Sequence, residues 1–420
     1  MINTYIYEAN TYESDVLGAY RTGAFDIYLS GHFNANLSSL STTDLGTFVH
    51  EYIHFIQNIS TPWGIFAGIV RNNDIAEMVN SYEEVSDIKL PYKFIPSEEQ
   101  IKRRTWLQCS IGTGHFLDII DRNAPTSFHF EDVCGFPIIM HRVHFFYTNI
   151  EGENKELIIG ATIIKESMAV MIQSLVDTNL PQHHDVPYNV LDVLCGNHFK
   201  NIAGDKRKLI YLCYISLFSL DPGYTLLCEL KKANLNPQKS GKEIFDEFLA
   251  GHVVQNGECV EMGIFFNSII EDYKSSLRRI LPCNLHFMEH ALSAVKINQE
   301  NPPLITFLES EIFDANYIQK LVDWLGIPFL HTADGTQFYP QHSQDNHFSQ
   351  DVVILAGNAA MYDYLVGYYY GKTCPFSFMC DDGEFICDTS PWKKCGCMFI
   401  LGLASLRLDK KEIVITTCYD

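Results

Sequence analysis

Hydrophobic positions between residues 45 and 59 recur at helical spacing, framed by Ser41-Thr42-Thr43-Asp44 on one side and Pro62 on the other. A hydroxyl residue ahead of the run offers an N-cap, Asp44 places a carboxylate where the helix dipole favours it, and proline is poorly tolerated inside a helix. The spacing therefore predicts a helix over 45–59. Before it, Tyr5-Ile6-Tyr7 and Phe25-Asp26-Ile27-Tyr28-Leu29 read as short strands. Residues 137–160 read as a hairpin, with strands over 138–148 and 156–159 about a turn at Glu151-Gly152-Glu153-Asn154. Gly160 hands over to an apolar helix at 161–177. Helical patterns follow at 188–194, 206–220, 242–250, 262–280 and 316–325, with polar breaks at 231–241 and 298–303. No fixed-period repeat is present. The pattern predicts a mainly helical α+β protein.

Composition narrows the function classes. At 420 residues, 47% hydrophobic and 19% charged, the chain has enough apolar surface for a large core, which excludes global disorder. The net charge of −21 repels phosphate backbones and anionic lipid, so neither nucleic acid nor a membrane surface is an expected partner. The first basic residue is Arg21, so a charged leader is not expected, and the longest apolar run, 209–220, is far short of a bilayer span. A cytoplasmic protein is the expectation. Thirteen cysteines then mean reduced thiols or metal ligands rather than a disulfide framework.

The candidate chemistry lies in His50-Glu51-Tyr52-Ile53-His54, an H-E-x-x-H on the predicted 45–59 helix. Positions 50 and 54 stand one above the other on a single helix face, so two imidazoles reach one ion, and Glu51 is placed to bond the water of that ion without ligating it. The flanking Phe48, Val49, Tyr52, Ile53, Phe55 and Ile56 are uncharged, which buries the three motif residues. Two histidines and a carboxylate buried without partners cost several kcal/mol, a cost a dication removes. Ordinary hydrogen bonding of the histidines is the competing structural explanation.

Catalytic zinc typically has three protein ligands and an open position. A metzincin continuation would need glycine at 57 and histidine at 60, where the chain has Gln57 and Ser60, and a cysteine ligand upstream is excluded because the first cysteine is Cys109. Two glutamate sources remain. Glu83 and Glu84 sit in a strongly polar stretch that reads as a solvated helix end. Glu166 shares a long apolar helix with one other charge, Lys165, and adjacent helix positions point about 100° apart. Glu166 is the favoured third ligand.

The helix with His50, Glu51 and His54, followed by a glycine-led helix carrying Glu166-Ser167-Met168-Ala169, resembles zincin metallopeptidases of the gluzincin type. The resemblance covers about residues 20–180. It implies zinc held by His50, His54 and Glu166, with Glu51 as general base. It also implies that the strand before the metal helix, at 24–33, is the sheet edge along which an extended peptide docks. A Tyr or His from beyond the Glu helix is expected to stabilise the oxyanion; His184 and Tyr188 are the candidates, with His183 in the same loop. The expected organisation is a zincin-like module over 1–235, with an insertion at about 65–136, and a helical, cysteine-rich region over 236–420.

Two further signals compete. His286-Phe287-Met288-Glu289-His290 is the inverted motif, but the only glutamates after Glu311 are Glu384, in an acidic cysteine-rich turn, and Glu412, near the C-terminus, so it reads as helix surface. Cys374, Cys380, Cys387, Cys395 and Cys397 cluster without the spacing of a zinc ribbon, leaving buried free thiols or a second, structural zinc. The expected function is a zinc-dependent endopeptidase acting on an intracellular protein substrate, in a toxin-like, regulatory or defence role. The alternatives are a metal-dependent amidase or hydrolase of a small molecule, and a non-catalytic zinc-containing binding protein.

Overall fold

A computed structural model of the chain describes residues 17–21, 25–83, 85, 87–114, 116–134, 139–180, 183–255, 258–280, 303–309, 313–341, 348–366, 402, 405–408 and 412–415. The strand expected at 5–7, the His286–Glu289–His290 motif, and Cys374, Cys380, Cys387, Cys395 and Cys397 lie outside the described residues.

The architecture is α+β and mainly helical. Its first half runs β1 (Gly18–Arg21), β2 (Asp26–Leu29), α1 (Thr42–Ser60), α2 (Pro62–Tyr82), β3 (Asp87–Leu90), α3 (Glu98–Ile111), β4 (Ser127–Cys134), β5 (Ile139–Thr148), β6 (Asn154–Ile159) and α4 (Ala161–Val176). The second half runs α5 (Val190–His198), α6 (Lys206–Ser216), α7 (Pro222–Leu235), α8 (Gly241–Leu249), β7 (His252–Gln255), β8 (Glu258–Glu261), α9 (Met262–Ile280), α10 (Pro303–Glu309), α11 (Ala315–Leu325), β9 (Phe329–Thr332), β10 (Gln337–Phe338), α12 (Phe348–Leu365) and β11 (Glu412–Ile415). Among the described residues, no helix is long and apolar enough to cross a membrane.

Helix α1 is the centre of the fold, with every residue from Leu45 to Ser60 buried. Its start follows the expected chemistry: the Ser41 hydroxyl accepts from the Asp44 backbone N–H and donates to Asp44 Oδ2 at 2.6 Å. Pro62 does stop α1, but it also opens α2 as an N-terminal residue, capped by Thr61, because its missing N–H is one that a first turn leaves unbonded. The same device opens α7 at Pro222, and α7 runs through Leu235, into the polar stretch expected as a break. The expected 206–220 helix likewise ends earlier, at Ser216.

A four-stranded sheet, ordered β1-β2-β9-β10, covers one side of α1. β1 is antiparallel to β2, β2 is parallel to β9, and β9 is antiparallel to β10. Strands from beyond residue 325 thus complete the sheet begun at residue 18. The Tyr52 hydroxyl of α1 donates to the Gly326 carbonyl at 2.7 Å, fixing the turn that leads into β9. Helix α4 also packs on α1, and the two approach closely at Gly46. A Cβ there would lie 3.0 Å from Asp177 Cβ and 3.5 Å from Gln173 Cγ. The expected hairpin is present as β5 and β6, with β4 added as a third antiparallel strand.

Candidate metal centre

His50 and His54 stand on adjacent turns of α1 and face α4, where Glu166 projects from the opposing helix. His50 Nε2 is 3.3 Å from Glu166 Oε2, and His54 Nε2 is 3.3 Å from Glu166 Oε1. One carboxylate therefore spans both imidazoles. Glu51 completes the cluster: the ligating atoms of His50, Glu51 and His54 lie within 4.8 Å of one another, and all four residues are at most 8% exposed.

The other ring nitrogens decide the protonation. His50 Nδ1 lies 3.1 Å from Gln173 Oε1, and His54 Nδ1 lies 2.9 Å from Gln57 Oε1. An amide oxygen only accepts, so each Nδ1 carries the proton. Gln57 is itself oriented by its amide nitrogen donating to the Lys165 carbonyl at 3.3 Å. With Nδ1 as the donor in each ring, Nε2 is the atom left to meet the Glu166 carboxylate, either through a proton of its own or through a shared cation.

The donor set fits a divalent metal. Ligand atoms about 2.0–2.2 Å from a tetrahedral zinc stand about 3.3–3.6 Å apart, and His50 Nε2 and His54 Nε2 each lie 3.3 Å from Glu166, on different oxygens of the one carboxylate. Amide oxygens behind each Nδ1 are the outer-shell partners that metal-bound imidazoles use. Lys165, the other charge on α4, donates from Nζ to Asn58 Oδ1 at 3.2 Å and lies over the Trp63 ring. Glu83, the other candidate ligand, forms the C-cap of α2 and pairs with Arg407 at 3.3 Å.

The loop after α4 brings a further group to this centre. It is tied down by the Asp118–Val186 bridge, by Ser167 donating to the Pro187 carbonyl, and by Asn189 Nδ2 donating to the carbonyls of His183 and His184. Tyr188 lies edge-on to His50, ring centroids 6.2 Å apart, and His183 lies 5.1 Å from Tyr188. His184 is exposed. The structure thus brings Tyr188 and His183 to the centre and turns His184 away from it. His183 Nε2 is buried with no hydrogen-bond partner among the described residues. Burial holds the His183 imidazole below its ordinary pKa, as do the nearby His50 and His184, while Glu166 acts in the opposite sense. A cavity of about 420 Å³ opens at His183, walled by Val170, Ser174, Asp177, Asn189 and Lys206.

Gln57 and Gln173 carry no motif signal of their own. Gln173 lies seven residues, two turns, beyond Glu166, the spacing that places both on one helix face. Comparison of the chain with protein-family models, with curated proteins and with solved structures finds no match.

Proposed function

We propose that the chain is a zinc-dependent hydrolase of peptide bonds, with His50, His54 and Glu166 as the ligands. The observation that carries this reading is the pair of imidazoles, each with Nδ1 turned to a glutamine carbonyl, whose Nε2 atoms converge on one carboxylate from another helix. When bound, zinc supplies Lewis-acid polarisation of the scissile carbonyl and a water acidified to near neutral pH. Glu51, one residue from His50 and buried beside it, takes the proton of the attacking water and delivers it to the leaving amine. The buried Nε2 of His183 offers a donor to the negative charge that develops on the substrate oxygen, with Tyr188 beside it. The substrate class we assign is a protein inside the cell, and the role toxin-like, regulatory or defensive.

A second reading, a metal-dependent amidase of a small molecule, is favoured by one observation. The expected docking edge, 24–33, does not present a free strand: β2 has β1 on one side and β9 on the other.

The test is zinc content per chain for wild type, His50→Ala, Glu166→Ala and Glu51→Gln, followed by hydrolysis of an unfolded protein substrate. One zinc lost with His50 and with Glu166 but kept in Glu51→Gln, together with hydrolysis abolished in Glu51→Gln, is the expected result. Zinc unaffected by Glu166→Ala, or hydrolysis retained by Glu51→Gln, overturns the assignment.

A further inference from the structure

Strand β1 lies against Glu51 and His54. A general base acts on atoms within hydrogen-bond reach, directly or through one water. Among the described residues, β1 brings extended backbone up against Glu51. A Cβ built on Gly18 would lie 2.8 Å from Glu51 Oε1, 2.9 Å from Glu51 Cγ and 3.0 Å from Thr47 Cγ2. No side chain fits there without displacing the Glu51 carboxylate. Two residues on, and therefore on the same face of the strand, the Tyr20 ring stacks on the His54 imidazole, centroids 6.4 Å apart and planes 24° apart, and meets Phe55 edge-on. The strand is held to β2 in antiparallel register, Gly18 opposite Leu29, Ala19 opposite Tyr28, Tyr20 opposite Ile27 and Arg21 opposite Asp26. It is four residues long and, among the described residues, lies at the end of the sheet, so β2, β9 and β10 remain paired to one another without it.

We propose that Gly18–Arg21 is a built-in occupant of the substrate's strand position, pairing with β2 across Glu51 and His54. The segment reports what the site accepts: an extended peptide with glycine against Glu51 and an aromatic residue two positions later against His54. The inference rests on the reading of His50, Glu51 and His54 as a hydrolytic centre. It also accounts for the filled edge of β2: the docking site exists, and the chain occupies it in cis, so a substrate protein gains entry by displacing β1.

The probe is a fluorescent synthetic peptide with the sequence of residues 14–24, added to the full-length zinc-loaded chain. Tyr20→Gly weakens the cis strand. Ala19→Cys with Tyr28→Cys, directly opposite across β1 and β2, pins it when oxidised. A site largely occupied in cis shows an apparent affinity reduced by its open fraction, so Tyr20→Gly binds the peptide about 10- to 100-fold more tightly than wild type. The oxidised pair binds no peptide, and reduction restores wild-type binding. A peptide carrying valine in place of the glycine corresponding to Gly18 binds at least about tenfold more weakly to Tyr20→Gly. Backbone amides of Asp26–Leu29 exchange faster in Tyr20→Gly than in wild type. Equal peptide binding by wild type, Tyr20→Gly and the oxidised pair, with one zinc per chain in each, overturns the proposal. Zinc content is read on the same samples, so a wild-type chain that takes up no zinc overturns the metal-centre reading separately.

Discussion

Nδ1 of His54 is bonded to Oε1 of Gln57, three residues along the same helix and 2.9 Å away. The contact fixes the tautomer of one expected ligand from within α1, while Gln173 performs the same office for His50 from α4. Loss of an outer-shell partner typically costs a metal site about 10- to 100-fold in affinity. Gln57→Ala and Gln173→Ala are therefore each expected to weaken zinc binding by about that factor, measured by competition with a chromophoric chelator. Gln57→Glu, which keeps an acceptor at the position, is expected to retain most of it. Unchanged affinity in both alanine variants would show that the glutamines do not orient the histidines.

The spacing of α1 and α4 sets the reach of Glu166, and Gly46 sets that spacing. With Asp177 Cβ 3.0 Å from where a Cβ would stand, Gly46→Leu forces the helices apart next to Gln173. Overpacking of this kind costs about 1–3 kcal/mol. The expected outcome is a lower urea midpoint together with weaker zinc binding, since Glu166 and Gln173 move with α4. A destabilised protein that binds zinc with wild-type affinity would mean that the centre does not depend on this contact.

The sequence discloses α1, its motif and the apolar helix of Glu166 because each depends on local spacing, and the structure places His50, His54 and Glu166 within one cluster. It does not disclose α2 or α7, because Pro62 and Pro222 read as terminators when they are helix openers. Nor does it disclose that β9 completes the N-terminal sheet: the parallel register of Tyr28 with His331 joins residues about three hundred positions apart, and a four-residue strand carries no mark of its partner. Within the loop after α4, His183 and His184 are indistinguishable by residue type. Which of them turns inward depends on the Asp118–Val186 bridge and on Asn189, and these are tertiary contacts.

Arg71 of α2 and Asp363 of α12 form a buried pair at 2.8 Å, side chains 8% and 10% exposed, with the guanidinium also donating to the Ala359 carbonyl. Removing one partner leaves the other charge buried without its ion-pair partner, which typically costs about 3–5 kcal/mol. Asp363→Ala is expected to lower the unfolding free energy by about that much in urea titrations. The double replacement Arg71→Met with Asp363→Leu removes both charges and is expected to recover most of the loss. A double variant as unstable as Asp363→Ala would show that the ion pair, rather than its desolvation, holds α12 to α2.

Asp74, in the interior of α2, supplies the clearest pH signature. Burial pushes its carboxyl up to about 6, against the opposing pull of Arg104 and Gln100, both of which donate to it. An unfolded chain releases that proton near pH 3.9. Between these values the folded state holds a proton that the unfolded state has lost, so stability falls as pH rises from about 4 to about 6. Asp74→Asn has no such proton. The unfolding free energy of wild type minus that of Asp74→Asn, both measured with chelator present, is therefore expected to drop by on the order of 2 kcal/mol across that window and to stay flat above it. A difference that rises over the same window would mean that Arg104 more than compensates the burial, and that the carboxylate is held ionised in the folded chain.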